Sequence, residues 1–387
     1  MPPSTTMPWM VFVPDMSGVC GVFGTLEITS KPTNTARTKI VSSVSRSIPG
    51  RLMGASVAEV SRDRVLVTGS SGHLGEALVR VLRARGREAV GLDVLPSPWT
   101  SVVGSVADRP VVRAALGGVG DVLHAATLHK PHVGSHPRSA FVEANVAGTL
   151  CLLEEAVAAG VAGFVFTSTT SVFGHALVPR AGAPAVWIDE DVVPAPRNVY
   201  GVTKRTAEDL CELVHREDGL PVVVLRTSRF FPESDDRDDV RAAYDDANVK
   251  VNEMLYRRVD LEDVVEAHLL ALARAPELGF ARYVISATTP FTAGDLGALR
   301  GDAAAVVRRL FPDYEATYAR RGWRMFDEIE RVYVNARARA DLGWAPVYDF
   351  PRLLDRLAAG KDPRSPLARA VGAKGYHEAA TGPYTLR

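Results

Sequence analysis

Cysteine is scarce: the 387 residues contain three, Cys20, Cys151 and Cys211. An odd, scattered set without CxxC spacing argues against a disulfide framework or a structural zinc site, and it suits a reducing cytoplasm. Excess charge is also lacking, since 45 Lys and Arg balance 45 Asp and Glu. That leaves no electrostatic case for nucleic acid or an anionic membrane as the main partner. No uninterrupted apolar run approaches the ~20 residues of a membrane span. What is abundant is apolar residues, 47% of the chain, enough for a sizeable core in one main domain with a smaller lobe.

The first sixty residues differ from the rest. They are rich in Pro, Ser, Thr and Gly, and the stretch from Ile28 to Arg51 carries Lys31, Arg37, Lys39, Arg46 and Arg51 with no acid. Transit peptides share some of this composition. The apolar patch from Trp9 to Phe23 contains Asp15 and has no basic residue ahead of it, which argues against a secretory signal. Residues 1–61 are expected to be a poorly ordered leader, with Met53 as an alternative start.

The most informative stretch is Arg64 to Gly75, RVLVTGSSGHLG. A buried apolar run ends in a turn with glycines at Gly69, Gly72 and Gly75, and a helical pattern begins at once. Backbone N–H groups and the positive end of the helix dipole can hold a diphosphate at such a turn, provided no side chain stands in the way. The run Glu88 to Asp93, EAVGLD, supplies the next strand and places Asp93 to accept from both ribose hydroxyls of an adenosine. Its carboxylate also repels a 2′-phosphate, which favours NAD over NADP. The expected cofactor-binding set is Gly69, Gly72, His73 (a spacer within the turn), Leu74, Gly75 and Asp93. Small residues at the end of the strand Asp121–Ala125, namely Ala125, Ala126 and Thr127, would let the cofactor lie across it.

Further along, strands are expected at Ser101–Gly104, Gly163–Ser168, Pro221–Arg226 and Arg282–Ser286. Helices are expected at Arg109–Leu116, Phe141–Gly160, Val199–Arg216, Leu261–Ala275 and Leu353–Ala359. Strands with continuous apolar runs that alternate with helices imply a parallel sheet covered on both faces, a Rossmann doubly wound α/β fold. After Arg226 the alternation breaks, which predicts an NAD-binding domain over 62–230 and mainly a substrate lobe over 231–387, with some elements returning to the sheet. The acidic stretch Glu233 to Asp246 reads as a solvated loop, because its carboxylates lack a metal-ligand spacing.

Tyr200 and Lys204 lie four apart at a helix start, so phenol and ammonium share a face. An adjacent Lys⁺ stabilises a phenolate and is expected to lower the tyrosine pKa toward working pH, making an acid/base for an alcohol or ketone. Upstream hydroxyls, Thr167 to Ser171, end a strand at the sheet edge where ligands bind. His129, His132 and His136 in LHKPHVGSH have no carboxylate or cysteine partner in sequence. They fit substrate contact or a surface loop better than a metal site. Trp323, flanked by Arg320, Arg321 and Arg324, could close over an anionic substrate or lie on a solvated helix face.

Taken in order, TGSSGHLG, the strand end at Asp93, HAAT (124–127), NVAGT (145–149), TSTTSVFG (167–174), YGVTK and RVDLEDVVEAHLLAL resemble the extended short-chain dehydrogenase/reductases, the NAD-dependent epimerase/dehydratase family. The resemblance covers roughly 62–360. It implies NAD as cofactor, Tyr200 as acid/base, Lys204 holding the nicotinamide ribose, and Thr169 bonding the reacting oxygen, with Thr170 as the neighbour that could be confused with it. It implies that Asn145 braces the sheet, that the substrate is a small molecule, most simply a nucleotide sugar, and that a homodimer forms through helices near 141–160 and 199–216. Thr170, His129, His132 and Arg229 are the candidate substrate contacts.

There are departures from the family pattern. Thr170-Ser171 replaces the Asp-Glu of the 4,6-dehydratases, Arg229 stands in place of the Asn that nucleotide-sugar enzymes usually carry after the LR strand, and Ser105 replaces an Asp near the adenine. The reading is a UDP-hexose 4-epimerase, with a reductase or dehydrogenase of a small carbonyl or alcohol as alternative. A catalytically silent dinucleotide sensor is a third, against which Tyr200 and Lys204 argue.

Overall fold

Apolar runs without alternation make strands buried on both faces, and they set the architecture. The structure, a computed structural model, describes residues 63–235 and 237–374; the expected leader lies outside them. In chain order the strands are β1 (Arg64–Thr68), β2 (Glu88–Asp93), β3 (Val102–Val103), β4 (Asp121–His124), β5 (Gly163–Thr169), β6 (Val186–Ile188), β7 (Val222–Thr227), β8 (Phe280–Ile285) and β9 (Arg331–Tyr333). Seven of them form a parallel sheet in the order β3-β2-β1-β4-β5-β7-β8, the doubly wound fold expected, while β6 pairs with β9 in a separate two-stranded sheet. The register sets Thr68 beside His124 and Thr169 beside Thr227, so the carboxyl ends of four central strands share one edge. The order reverses at β1, and ligands of open α/β sheets bind at such a reversal.

Helices cover both faces. The helices used below are α1 (His73–Ala84), α2 (Arg109–Ala115), α3 (Arg138–Val142), α4 (Gly148–Ala158), α5 (Val199–Asp218), α6 (Asp238–Ala243), α7 (Asp246–Glu253) and α8 (Leu261–Leu278). Helices α1 and α8 pack Leu74, Leu78, Leu82, Val264 and Ala271 onto one face, while α4 and α5 pack Leu152, Ala156, Ala207 and Cys211 onto the other. Each fully buried Leu stabilises by roughly 1.5–3 kcal/mol. Asn198 caps α5, accepting from Gly201 N at 2.9 Å, which fixes where Tyr200 and Lys204 begin. A third core around Leu255, Tyr314, Tyr318, Phe326 and Phe350 fills the C-terminal part, to which Val249 and Val251 of α7 belong.

The segment expected as one helix over 141–160 is broken. Between α3 and α4 lies a π-turn, Glu143–Ala147. Its wider winding turns Asn145 inward, where it is 1% exposed, and such turns are frequent at functional sites. The acidic stretch is likewise only partly solvated: Glu233 and Asp235 are buried, whereas Asp238 and Asp239 open the exposed helix α6.

Candidate active site

The turn after β1 is closed so tightly that only glycine fits. Gly69 has φ 71°, and a Cβ there would lie 2.7 Å from Ala126 N; a Cβ on Gly75 would lie 1.9 Å from Gly69 O. Gly72 is the N-cap of α1, and no side chain caps the helix. The uncapped end borders a cavity of about 1250 Å³, lined by Gly69, Gly72, His73, Leu74, Gly75, Asp93, Ala125, Ala126 and Thr127 among others. Pockets for a single small ligand run to about 1,000 Å³, so this one has room for a dinucleotide and a second molecule. Asp93 is anchored by Ser71 N and Leu95 N, each at 2.9 Å, one on either carboxylate oxygen. Ordered at the rim, it retains lone pairs for hydroxyl donors. An uncapped helix end, a cradle that a Cβ would fill and a preset carboxylate fit NAD. His73 is more than a spacer, since its buried ring stands 3.1 Å from Glu233.

Beneath the turn runs a relay of hydrogen bonds. Ala126 N donates to Thr68 Oγ1, and the Thr68 hydroxyl meets His124 Nδ1 at 2.7 Å. His124 Nε2 meets Thr149 Oγ1 at 3.0 Å, and that hydroxyl donates to Asn145 O. Because the Thr149 proton goes to Asn145 O, His124 Nε2 carries a proton, and in the neutral ring Nδ1 accepts from the Thr68 hydroxyl. Burial, reinforced by the Lys204 charge, lowers its pKa to about 3.

Tyr200, Thr169 and Lys204 come from α5 and the end of β5. Tyr200 is 8% exposed and its hydroxyl lies close enough to the Thr169 side chain to feel it; both line the cavity, as does Thr170. Burial pushes the phenol up to about 12, and the nearby Thr169 side chain pulls it back only in part. The expected lowering by Lys204 is not found. Its ammonium lies 3.8 Å over the Phe166 ring, and burial lowers its pKa to about 7. Asn145 ties this corner to the sheet: Oδ1 accepts from Thr127 Oγ1 and Leu128 N, and Nδ2 donates to Leu128 O and to Thr203 Oγ1 on α5.

His129, His132 and His136 line the cavity, and His129 N donates to His132 Nδ1 at 3.0 Å. Among the described residues no His, Cys, Asp and Glu cluster is placed to hold a metal ion. Arg229 lines the cavity, yet it is already paired with Asp235 and with Glu253 at 3.0 Å, so a substrate anion would have to compete with both. Three arginines, Arg229, Arg257 and Arg258, hold the buried Glu253 carboxyl well below the usual range. Sequence reasoning missed Arg257 and Arg331, which also line the cavity; nothing local distinguishes them from the chain's other arginines. Trp323 packs edge-on against Tyr318 at 5.7 Å, in the C-terminal core.

A glycine turn at the strand-order reversal, with Tyr200 and Thr169 lining the same crevice, defines a Rossmann-fold protein shaped for a dinucleotide. The profile of the NAD dependent epimerase/dehydratase family matches residues 65–285, and the chain belongs to that family of enzymes, with NAD as cofactor. It is 27% identical to a 3-beta-hydroxysteroid dehydrogenase of Mycolicibacterium neoaurum, over 76% of this chain and 90% of that one. It is 31% identical to a UDP-glucose 4-epimerase of Rhizobium meliloti (strain 1021), over 43% of this chain and 52% of that one. The match to an uncharacterized protein of Sinorhizobium fredii spans only 39% of its length. Among solved structures, a short-chain dehydrogenase/reductase superfamily protein from Agrobacterium tumefaciens with bound NAD aligns with TM-score 0.54 at 25% identity, over 79% of this chain and 97% of that one. MoeE5 in complex with UDP-glucose and NAD aligns with TM-score 0.53 at 25% identity, over 76% of this chain and 96% of that one. Among the described residues no helix is long and apolar enough to cross a membrane.

Proposed function

We propose that the protein is a nucleotide-sugar 4-epimerase acting on a UDP-hexose. The observation that carries this reading is the Thr169–Tyr200 hydroxyl pair facing a cavity with room for a second ligand beside the cofactor. When bound, NAD supplies a reversible hydride acceptor and a positive charge. Thr169 bonds the reacting sugar oxygen and Tyr200 exchanges the proton on it. With its pKa at about 12, the Tyr200 phenol is the proton donor at neutral pH; taking a proton requires a cation beside it, and Lys204 is one helical turn away. Similarity to the UDP-glucose 4-epimerase of Rhizobium meliloti and to MoeE5 supports the substrate class.

In this reading 62–230 carries the cofactor and the substrate contacts Thr170, His129, His132 and Arg229, while 231–387 completes the substrate lobe. It places the enzyme in the cytoplasm as a homodimer.

A net dehydrogenase or reductase is the second reading. It is favoured by the prior engagement of Arg229 and by the nearly full-length match to the 3-beta-hydroxysteroid dehydrogenase, and its reductive direction by the protonated Tyr200. Incubating the purified protein with UDP-glucose and no added cofactor tests the first reading. Formation of UDP-galactose, resolved by proton NMR, supports it. A net change in nicotinamide absorbance with a ketone or alcohol, and no epimer, replaces it with the second.

A further inference from the structure

The cavity wall beside the glycine turn is completed from the far end of the described chain. Lys374 lines the cavity together with Gly72, His73 and Leu74. Its ammonium pairs with Glu76, 298 positions away in sequence. Glu76 lies in the first turn of α1 and is 3% exposed. A carboxylate there suits a bare helix dipole. Toward an anion approaching the same turn it is a like charge, and its burial removes the water that would screen it. Arg80 offers one compensating charge at 2.7 Å, and Lys374 offers a second.

A second contact joins the same elements. Lys374 N donates to Glu233 Oε1 at 3.4 Å, and that oxygen stands 3.1 Å from Nε2 of His73, the first residue of α1. Glu233 Oε2 is buried without a hydrogen-bond partner among the described residues. The segment that brings Lys374 here is anchored on both sides of its short helix, Pro366–Val371. Ser365 N donates to Asp260 Oδ2 at 3.1 Å, and Val371 is buried in the core that contains Leu74 and Leu78. Gly372, at φ 64°, then turns the chain toward the cavity.

We infer that Ser365–Lys374 is a latch for the dinucleotide, and that Lys374, by offsetting the buried Glu76 charge at the diphosphate turn, sets how long NAD is held. Lys374 is a positioning residue acting through Glu76. A latch of this kind suits an enzyme that keeps its cofactor between turnovers, but the inference requires only that NAD binds at the turn.

The test uses the full chain loaded with NAD, displaced by excess ADP-ribose in a stopped-flow fluorimeter. K374A should release NAD about tenfold faster, because a charge at a partly buried helix terminus is worth roughly that factor. K374R should stay within about twofold of the parent. In the E76Q background the same K374A change should alter release by less than about threefold, because the charge it exposes is gone. An unchanged release rate in K374A, or an equal acceleration with and without Glu76, overturns the latch and leaves Lys374 as a packing contact. If K374A does not fold, K374Q carries the same cycle.

Discussion

Replacing Gly75 by Ala puts a methyl carbon 1.9 Å from Gly69 O, 2.5 Å from Gly69 C and 2.7 Å from Ser70 Cα. All three are backbone atoms of the turn, so no side chain can rotate away. Reaching an ordinary contact of 3.4 Å requires the turn and helix to part by about 1.5 Å. The helix resists, because Leu74, Leu78 and Leu82 are buried against the sheet. The turn resists too, since Gly69 N donates to Leu92 O at 2.8 Å and Gly72 N to Gly69 O at 3.0 Å. Overpacking of this kind costs about 1–3 kcal/mol. A 1 Å misplacement of a binding element is worth about 10²-fold in function. Gly75→Ala should therefore weaken NAD binding, measured by calorimetry, by about 100-fold or more, with a fall of several degrees in Tm. Gly297→Ala, where no atom lies within 4 Å of the new carbon, should leave NAD affinity unchanged. Binding by Gly75→Ala within about threefold of the parent would show that the diphosphate does not sit at this turn.

The turn was legible in the sequence because it depends on what the backbone tolerates locally: three glycines and an apolar strand leave few alternatives. The parallel sheet was legible for a similar reason, since strands such as Val222–Thr227 have no polar face to give to water. What escaped depends on contacts between distant segments. Tyr200 and Lys204 share a helix face at a spacing of four, yet the direction of the Tyr200 shift follows from burial and from Lys204 lying over Phe166, neither of which that spacing fixes. The π-turn is similar: FVEANVAG reads as plain helix, and only partners on two other elements give Asn145 a reason to turn inward. Glu233 looked solvated among its acidic neighbours because its partners, His73 and Lys374, are remote in sequence.

Tyr200→Phe should lower turnover about 10²-fold or more while leaving NAD affinity near the parent value, because it removes the proton carrier and little else; turnover within a few fold would remove Tyr200 from the chemistry. Asn145→Ala loses four hydrogen bonds at a site 1% exposed and strands their partners, so urea unfolding should show a loss of about 2–4 kcal/mol, and a loss below about 1 kcal/mol would mean that water replaces the bridge. The pH dependence follows from three buried bases. His124 and His268, whose ordinary pKa is 6.5, stand at about 3 and about 4, both lowered first by burial. Below pH 6.5 the unfolded chain takes up protons that the folded protein refuses, so each histidine removes up to about 1.4 kcal/mol of stability per pH unit as pH falls toward 4. Lys204, lowered from 10.5 to about 7, acts in the same sense between those values. Urea midpoints should therefore fall steadily from pH 6.5 to 4, and His124→Asn should flatten that slope; an equal slope in the variant would mean that His124 is charged in the folded protein and that the neutral relay beneath the cofactor turn does not exist.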